Sequence, residues 1–481
     1  MKRPPNLLVI LSDQHQAKAM SCEGHPVVQT PNLDSLAERG TRFTNAYTPS
    51  PICVPARAAF ATGRHVHDIR NWDNAMPYVG NPRGWGHALQ EKGVRVESIG
   101  KLHYRKDDDD AGFDVQHIPM HVVDGVGMVW GSIRKEEDRV FHEGVRMMGD
   151  YIGPGESSYT KYDRAVTERT CDWLKSSAND EEPWCLYVGL VAPHHPLVAP
   201  QEFFDLYSLD NLPEDKLHPR DGYKQHPWIM KQAASMIGEE GWTSEEERKT
   251  AIAAYLGLTS WMDHNVGQIV QSLKENGLYD DTTIIYSSDH GENLGTRGLW
   301  GKMNMYEESA KIPMIVAPAP RLDLTEPKQV RTTATLLDVS ETILDHFDAN
   351  LAGERPGASL YELAQKPDDR DRAVISEYHA IGSVSASFML RKGAWKLIEY
   401  VGFEPELFNL ENDPEELVNL GSDPEFAHIL ADLKSELSKI CDPEEANAMA
   451  FADQEAMIES YGGTAVAATL GAPSATPPPK L

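Results

Sequence analysis

NLLVILSDQ, residues 6–14, sets five apolar side chains in a row, Leu7 to Leu11, and then breaks into Ser12, Asp13 and Gln14. Basic residues precede the run, as in a secretory leader. Five residues are too few for a leader core, and no small-residue cleavage site follows, so the stretch reads as a first β-strand. The same design recurs three times. VRVESI (94–99) runs into Gly100, Lys101, Leu102 and His103; WCLYVGLVA (184–192) into Pro193, His194, His195 and Pro196; TTIIYSS (282–288) into Asp289, His290 and Gly291. Near-continuous apolar strands suit a parallel sheet covered on both faces. In open α/β sheets, ligands bind at the carboxyl ends of the strands. Any one polar cluster could be a simple turn; four of one design predict a shared site on one sheet edge. The expected fold is α/β: a large, mostly parallel sheet with helices on both faces, plus a smaller C-terminal α+β domain.

Helical patterns fill the intervals. NLDSLAERG (32–40) offers Asn32 as a cap and Gly40 as a stop. Residues 244–277 carry apolar side chains at helical spacing and end in Asn-Gly, which predicts a long helix packed on the sheet. The weakly periodic segment 104–165 predicts loops that roof the site. Composition shifts near KPDDRDR (366–372), after which strand and turn signals precede an amphipathic helix at 426–440. The expected organisation is a catalytic α/β domain over 1–371, a small α+β domain over 372–450, and a flexible or arm-like tail over 451–481, where Ala, Gly, Pro and Thr dominate.

The net charge of −29 repels polyanions, so DNA, RNA and sulfated polysaccharides are disfavoured and a small-molecule substrate is expected. An anionic substrate requires the site to supply its own positive charge. No apolar run reaches membrane-spanning length. The five cysteines (22, 53, 171, 185, 441) form no C-x-x-C and no even framework, which points to free thiols in a reducing, cytoplasmic compartment.

One cysteine stands apart. In SPICVPARAAFATGRH (50–65), Pro55 suits a first helical turn and Gly63 a helix end, so Cys53 sits at a helix N-terminus with Arg57 one turn on. Backbone N–H groups there favour an anion. Only three residues separate Cys53 from Arg57, which excludes the five-residue spacing of a tyrosine-phosphatase loop.

CVPAR followed by AAFATGRH resembles the signature of the type I sulfatase family, C-x-P-x-R with a later T-G-R. LLVILSDQ, TPNLDSLAERGTRFTNAY, IGKLH, APHHP, SDHGENLG, GKMNMYEES and ELFNLENDPEELVNL match in the same order, covering most of residues 6–420. The resemblance implies a sulfuric ester hydrolase in which a formylglycine-generating enzyme has oxidised Cys53 to an aldehyde, hydrated to a diol. It carries metal-ligand roles to Asp13, Gln14, Asp289 and His290, with residue 53 completing the set. Gln14 stands where most relatives have a second Asp, and the DQ…DH combination looks like the choline-sulfatase and phosphonate monoester hydrolase branch. Lys101 and His103 match the GK-x-H pair, His194 the H-x-P histidine, with His195 its alternative, and Lys302 the late lysine. Asn74 is a candidate substrate contact.

The residues agree with that set: two carboxylates, an amide, an imidazole and a hydroxyl suit a hard divalent cation, Ca²⁺ first, with Mn²⁺ or Mg²⁺ as alternatives. The implied chemistry places the metal, Arg57, Lys101 and Lys302 around the sulfate oxygens. His194 and Lys302 protonate the departing alcohol, and His103 takes a proton from the second diol hydroxyl. Phosphonate monoester or phosphodiester hydrolysis is the alternative on the same site, because those substrates carry the same single charge. A non-catalytic binding protein of the same fold is the remote one, disfavoured by retention of every matched charged residue. A homo-oligomer is compatible with the sequence, and a membrane partner is not expected.

Overall fold

The computed structural model describes residues 3–142, 146–322 and 328–480. Met1, Lys2 and Leu481, the outer ends of the expected first domain and tail, lie outside them. The first strand, β1 (Asn6–Asp13), has every residue buried. The main sheet continues with β2 (Thr41–Phe43), β3 (Arg95–Lys101), β4 (Val115–Met120), β5 (Trp184–Pro193), β6 (Thr282–Ser288), β7 (Met314–Ala317) and β8 (Lys328–Val330). Its spatial order is β8-β2-β7-β6-β1-β5-β3-β4. The four strands expected from the sequence are contiguous, β6-β1-β5-β3, and pair parallel throughout. Their four polar clusters therefore emerge on one edge. β7 runs antiparallel to both its neighbours.

Alternation along β1 feeds two cores. Leu8 and Ile10 join one, beneath α3 (Ser158–Ser176) and α4 (Glu245–Glu275); Leu7, Val9 and Leu11 join the other, beneath α2 (Cys53–Thr62) and α5 (Leu336–His346). The long helix thus lies where the periodicity put it, and Trp261 and Met262 within it are core residues. The earlier helix, α1 (Pro31–Glu38), differs in its start: Pro31 occupies the first turn, and Asn32 gives its backbone and side-chain N–H groups to Asp263 instead of capping. The fixed φ of proline is already helical, so the helix begins before Asn32.

Strands β9 (Ala373–Tyr378), β10 (Ser387–Lys392), β11 (Trp395–Tyr400) and β12 (Glu406–Asn409) form a separate antiparallel sheet, against which α6 (Ala427–Ile440) packs Leu433 and Leu437. The fully buried Lys396 of β11 reaches Glu307 at 2.9 Å and Glu416 at 2.7 Å, so an ion pair ties this sheet to the catalytic part. The segment from 451 departs from the expected tail. It begins inside α7 (Pro443–Ser460), which Asp442 caps by accepting from Glu444 and Glu445 N–H. Ala450 and Ile458 bury against separate small clusters containing Trp72 and Val129. Beyond α7 the chain folds back over the sheet edge. Among the described residues, no helix is long and apolar enough to cross a membrane.

Candidate active site

Cys53 is the first residue of α2, whose ten residues are all buried and whose end is set by Gly63 at φ 66°. Val54 N–H at the open end donates to Asn74 Oδ1 at 3.2 Å, so Asn74 acts on the helix terminus as well as lining the pocket. The thiol lies 3.2 Å from His290 Nε2 and 3.7 Å from Asp13 Oδ1. Burial, joined by the Asp13 carboxylate, pushes it up to about 11. That outweighs the helix N-terminus, and the sulfur is not a thiolate at neutral pH.

Asp13, Cys53, Asp289 and His290 present ligand atoms that all lie within 4.8 Å of one another, and all four residues are buried. His290 Nδ1 faces the Gly291 carbonyl at 3.2 Å; donating there leaves the Nε2 lone pair toward the cluster. Two carboxylates, a correctly oriented imidazole and residue 53 fit a divalent cation. Gln14 is held otherwise. Its amide oxygen accepts from Lys302 and its amide nitrogen donates to Glu292 and approaches His195, because the buried ammonium of Lys302 needs an acceptor and takes it.

The site's positive charge sits beneath the carboxylates. Arg57 donates from Nε to Asp289 Oδ2 at 2.8 Å, from Nη2 to Asp13 Oδ2 at 3.0 Å, and from Nη1 to the Lys101 carbonyl and the Tyr187 hydroxyl. A guanidinium has five N–H groups, and four are thus committed. Arg57, expected at the sulfate oxygens, is seen here holding the carboxylates of Asp13 and Asp289. Lys101 Nζ lies 2.7 Å from Asp13 Oδ2. Burial alone would raise Asp13, but the Lys101 ammonium and the Arg57 guanidinium hold it well below the usual carboxylate range. At Asp289 burial wins over Arg57 and the carboxyl rises to about 6.

His194 Nδ1 lies 2.6 Å from the His195 carbonyl and must donate to it, which leaves Nε2 to accept from Lys302 Nζ at 2.9 Å. His195 also lines the pocket, but the contact with Lys302 belongs to His194. Burial, with Lys302 nearby, keeps both imidazoles neutral. His103, at φ 59°, is buried; its Nε2 meets Thr476 Oγ1 at 2.9 Å and its Nδ1 has no partner among the described residues. The sequence-predicted residues thus converge on one pocket edge.

Several contributors escaped the sequence reading. Tyr187 lies on β5 among apolar neighbours that read only as core. Glu292 accepts from Leu294 and Gly301 backbone N–H, and stood inside a quoted motif with no role. The pocket wall of Met128, Trp130, Met147, Tyr159, Met236 and Ile381 comes from irregular segments and elements distant in sequence. Four of those six fall within 104–165, the segment expected to roof the site.

Residues 5–349 match the Sulfatase family, and residues 295–442 match the N-sulphoglucosamine sulphohydrolase C-terminal family. The chain belongs to the sulfatase family. It is 34% identical over 440 residues to the choline-sulfatase of Rhizobium meliloti, covering 87% of this chain and 83% of that protein. It is 28% identical over 470 residues to human arylsulfatase K, covering 91% and 82%. The crystal structure of the Agrobacterium radiobacter phosphonate monoester hydrolase shares the fold, with a TM-score of 0.74 at 22% identity over 91% of this chain and 95% of that one. Membership of this sulfatase family makes the chain an enzyme of the sulfuric ester hydrolase type, and implies a metal and a formylglycine.

Proposed function

We propose that this enzyme hydrolyses a small sulfate monoester to alcohol and inorganic sulfate, using residue 53 as formylglycine. The observation that carries this reading is the meeting of Asp13, Asp289 and His290 with Cys53 at a buried helix N-terminus, flanked by Arg57, Lys101 and Lys302. Ca²⁺ is the proposed ion, with Mn²⁺ or Mg²⁺ as alternatives, held by Asp13, Asp289, His290 and residue 53. Bound there, it would polarise the sulfate and acidify a hydroxyl on residue 53. Gln14 serves the site by fixing Lys302.

The chain's own residues divide the remaining work. Lys101 offsets negative charge on the sulfate oxygens. Arg57 fixes Asp13 and Asp289. The Lys302 ammonium donates toward the departing alkoxide, oriented by the acceptor nitrogen of His194. His103, neutral and with Nδ1 uncommitted, takes a proton from residue 53 in this scheme, a role supported by the pocket the two residues share. We further propose that a formylglycine-generating enzyme acts on the chain, that it works in the cytoplasm, as its free thiols suggest, and that it can form a homo-oligomer. The domain limits 1–371 and 372–450 remain our proposed division.

Peptide mass spectrometry tests the modification: aldehyde in place of thiol makes the peptide carrying residue 53 lighter. An unmodified thiol in fully active enzyme would sink the reading. Phosphonate monoester hydrolysis is the second reading, favoured by fold likeness to those hydrolases. Paired kcat/KM values on an alkyl sulfate and a phenyl phosphonate ester decide between them.

A further inference from the structure

Past α7 the chain does not leave the molecule. Leu470 O accepts from Trp130 N–H, and Ala472 O accepts from the Trp130 indole at 2.8 Å. Gly471, at φ 100°, lies so close to Gly127 that an added Cβ would stand 2.1 Å from its carbonyl oxygen. Ser474, Ala475 and Thr476 then line the same pocket as Cys53, Lys101, His103, His194 and Lys302. Thr476 is 6% exposed, its carbonyl accepts from the Tyr159 hydroxyl, and its own hydroxyl meets His103 Nε2. These bonds run from a low-complexity segment to an indole, a phenol and an imidazole that sequence distance separates by more than 300 residues.

Of the remaining lining, Met128, Trp130, Met147, Met236 and Ile381 are apolar and Asn74 is polar. Among the described residues it carries no array of amides to read sugar hydroxyls. With the arm in place the cavity measures about 50 Å³. A dry cavity of about 150 Å³ is what accepts benzene.

We infer that residues 471–476 form a built-in wall of the leaving-group pocket, which confines substrates to sulfate esters of small alcohols with an apolar carbon part, and that Thr476 is a positioning residue for His103. The inference rests on the proposed reaction for its substrate class, and on the contacts alone for the wall. A ring-sized leaving group would be crowded by the arm in an opening of this size. A short alkyl group has room, and meets thioether and indole surface. Among the described residues the Thr476 hydroxyl holds the only engaged nitrogen of His103, so it fixes which way that ring faces residue 53.

Two measurements test this. In unmodified protein, made without the maturation enzyme, a bulky maleimide and the small reagent methyl methanethiosulfonate are compared at Cys53 by peptide mass. A chain ending at Leu470 should gain about 10-fold or more in the bulky rate relative to the small one. An equal ratio in the folded, truncated chain overturns the wall. Protection in the full chain that falls on dilution also overturns it, by assigning the arm to a second copy. In modified enzyme, kcat/KM for 4-nitrophenyl sulfate relative to ethyl sulfate should rise about 10-fold on truncation, the span that one pocket contact commands. If full-length enzyme cleaves neither ester, the proposed reaction fails while the labelling result stands. Thr476→Val should lower kcat on both esters with KM little changed, and Thr476→Ser should restore it. A Thr476→Val enzyme with normal kcat removes the positioning role, and keeps its meaning if truncation proves too destabilising to assay.

Discussion

Replacing Arg57 by alanine separates two readings of the site. If the guanidinium faced sulfate, its loss would weaken substrate binding and leave the resting protein alone. Its contacts say otherwise: it is 1% exposed and spans Asp13 and Asp289, both fully buried. Removing one partner of a buried ion pair costs about 3–5 kcal/mol, because the other charge stays behind unpaired. Unfolding entropy is about 2.1 cal/mol/K per residue, so 4 kcal/mol over 481 residues lowers the midpoint by about 4 °C. The variant leaves two carboxylates without their bridging cation, so a divalent ion should recover more stability in the variant than in the wild type. Arg57→Lys should recover part of the loss, since one ammonium cannot reach both carboxylates, the Lys101 carbonyl and the Tyr187 hydroxyl together. The assay is thermal unfolding with chelator and with added Ca²⁺, beside steady-state kinetics. An Arg57→Ala protein that melts like wild type under both conditions and shows only a raised KM would refute the reasoning.

Asp289→Asn keeps one carbonyl acceptor, for Arg57 or for His290 N–H but not for both, so it should fold with some loss of stability while metal per chain, by atomic emission, drops well below one; a stoichiometric ion in that variant would contradict the ligand set. Asp289→Ala should lose stability as well, since it strips a carboxylate from Arg57. Lys302→Ala and His194→Ala should slow ethyl sulfate about 10²–10⁴-fold and trifluoroethyl sulfate far less, because a good leaving group needs little protonation; equal losses on both would remove the general-acid role. Far from the site, His67 Nδ1 lies 2.8 Å from the buried carboxylate of Glu377. Burial opposes its charge, but Glu377 prevails and pushes His67 up to about 11, while Glu377 is held low by His67 and His379 despite its burial. The histidine's contribution is then full below its ordinary value of about 6.5 and is lost as pH rises toward 11; that of Glu377 is lost as pH falls below its ordinary value of about 4.3. The melting advantage of wild type over His67→Gln should therefore be largest near pH 6 and shrink by pH 9; an advantage that grows with pH would reverse the assignment.

The sheet was legible because its signal is local. Each of β1, β3, β5 and β6 announces itself in one apolar run, and the polar residues that follow are fixed by chain direction. Parallel pairing then does the assembly, so Asp13, Lys101, His194 and Asp289 could be grouped from sequence alone. What each side chain does once grouped is not local. Asn32 looked like a cap because its partner Asp263 lies 231 residues away. Arg57 looked like a sulfate contact because nothing in CVPAR shows that Asp13 and Asp289 close on it from separate strands. Gln14 stood in a ligand's place, and its oxygen goes to an ammonium 288 residues on.

The tail shows the sharpest form of this limit. Ala, Gly, Pro and Thr supply no amphipathic pattern, so sequence reading leaves a flexible tail and an arm equally open. Ordering such a segment sacrifices about 1–2 kcal/mol of backbone entropy per residue, and small side chains return little apolar burial against it. The return here comes from backbone and hydroxyl groups meeting Trp130, Tyr159 and His103. Those partners sit in the roof and on the sheet edge, and they exist as a surface only after the catalytic part has folded. A segment held this way should be the last to order and the first to release, which suits a wall that must admit substrate and return. Its low complexity is then no sign of idleness, since glycine at 471 is what lets the backbone lie against Gly127 at all.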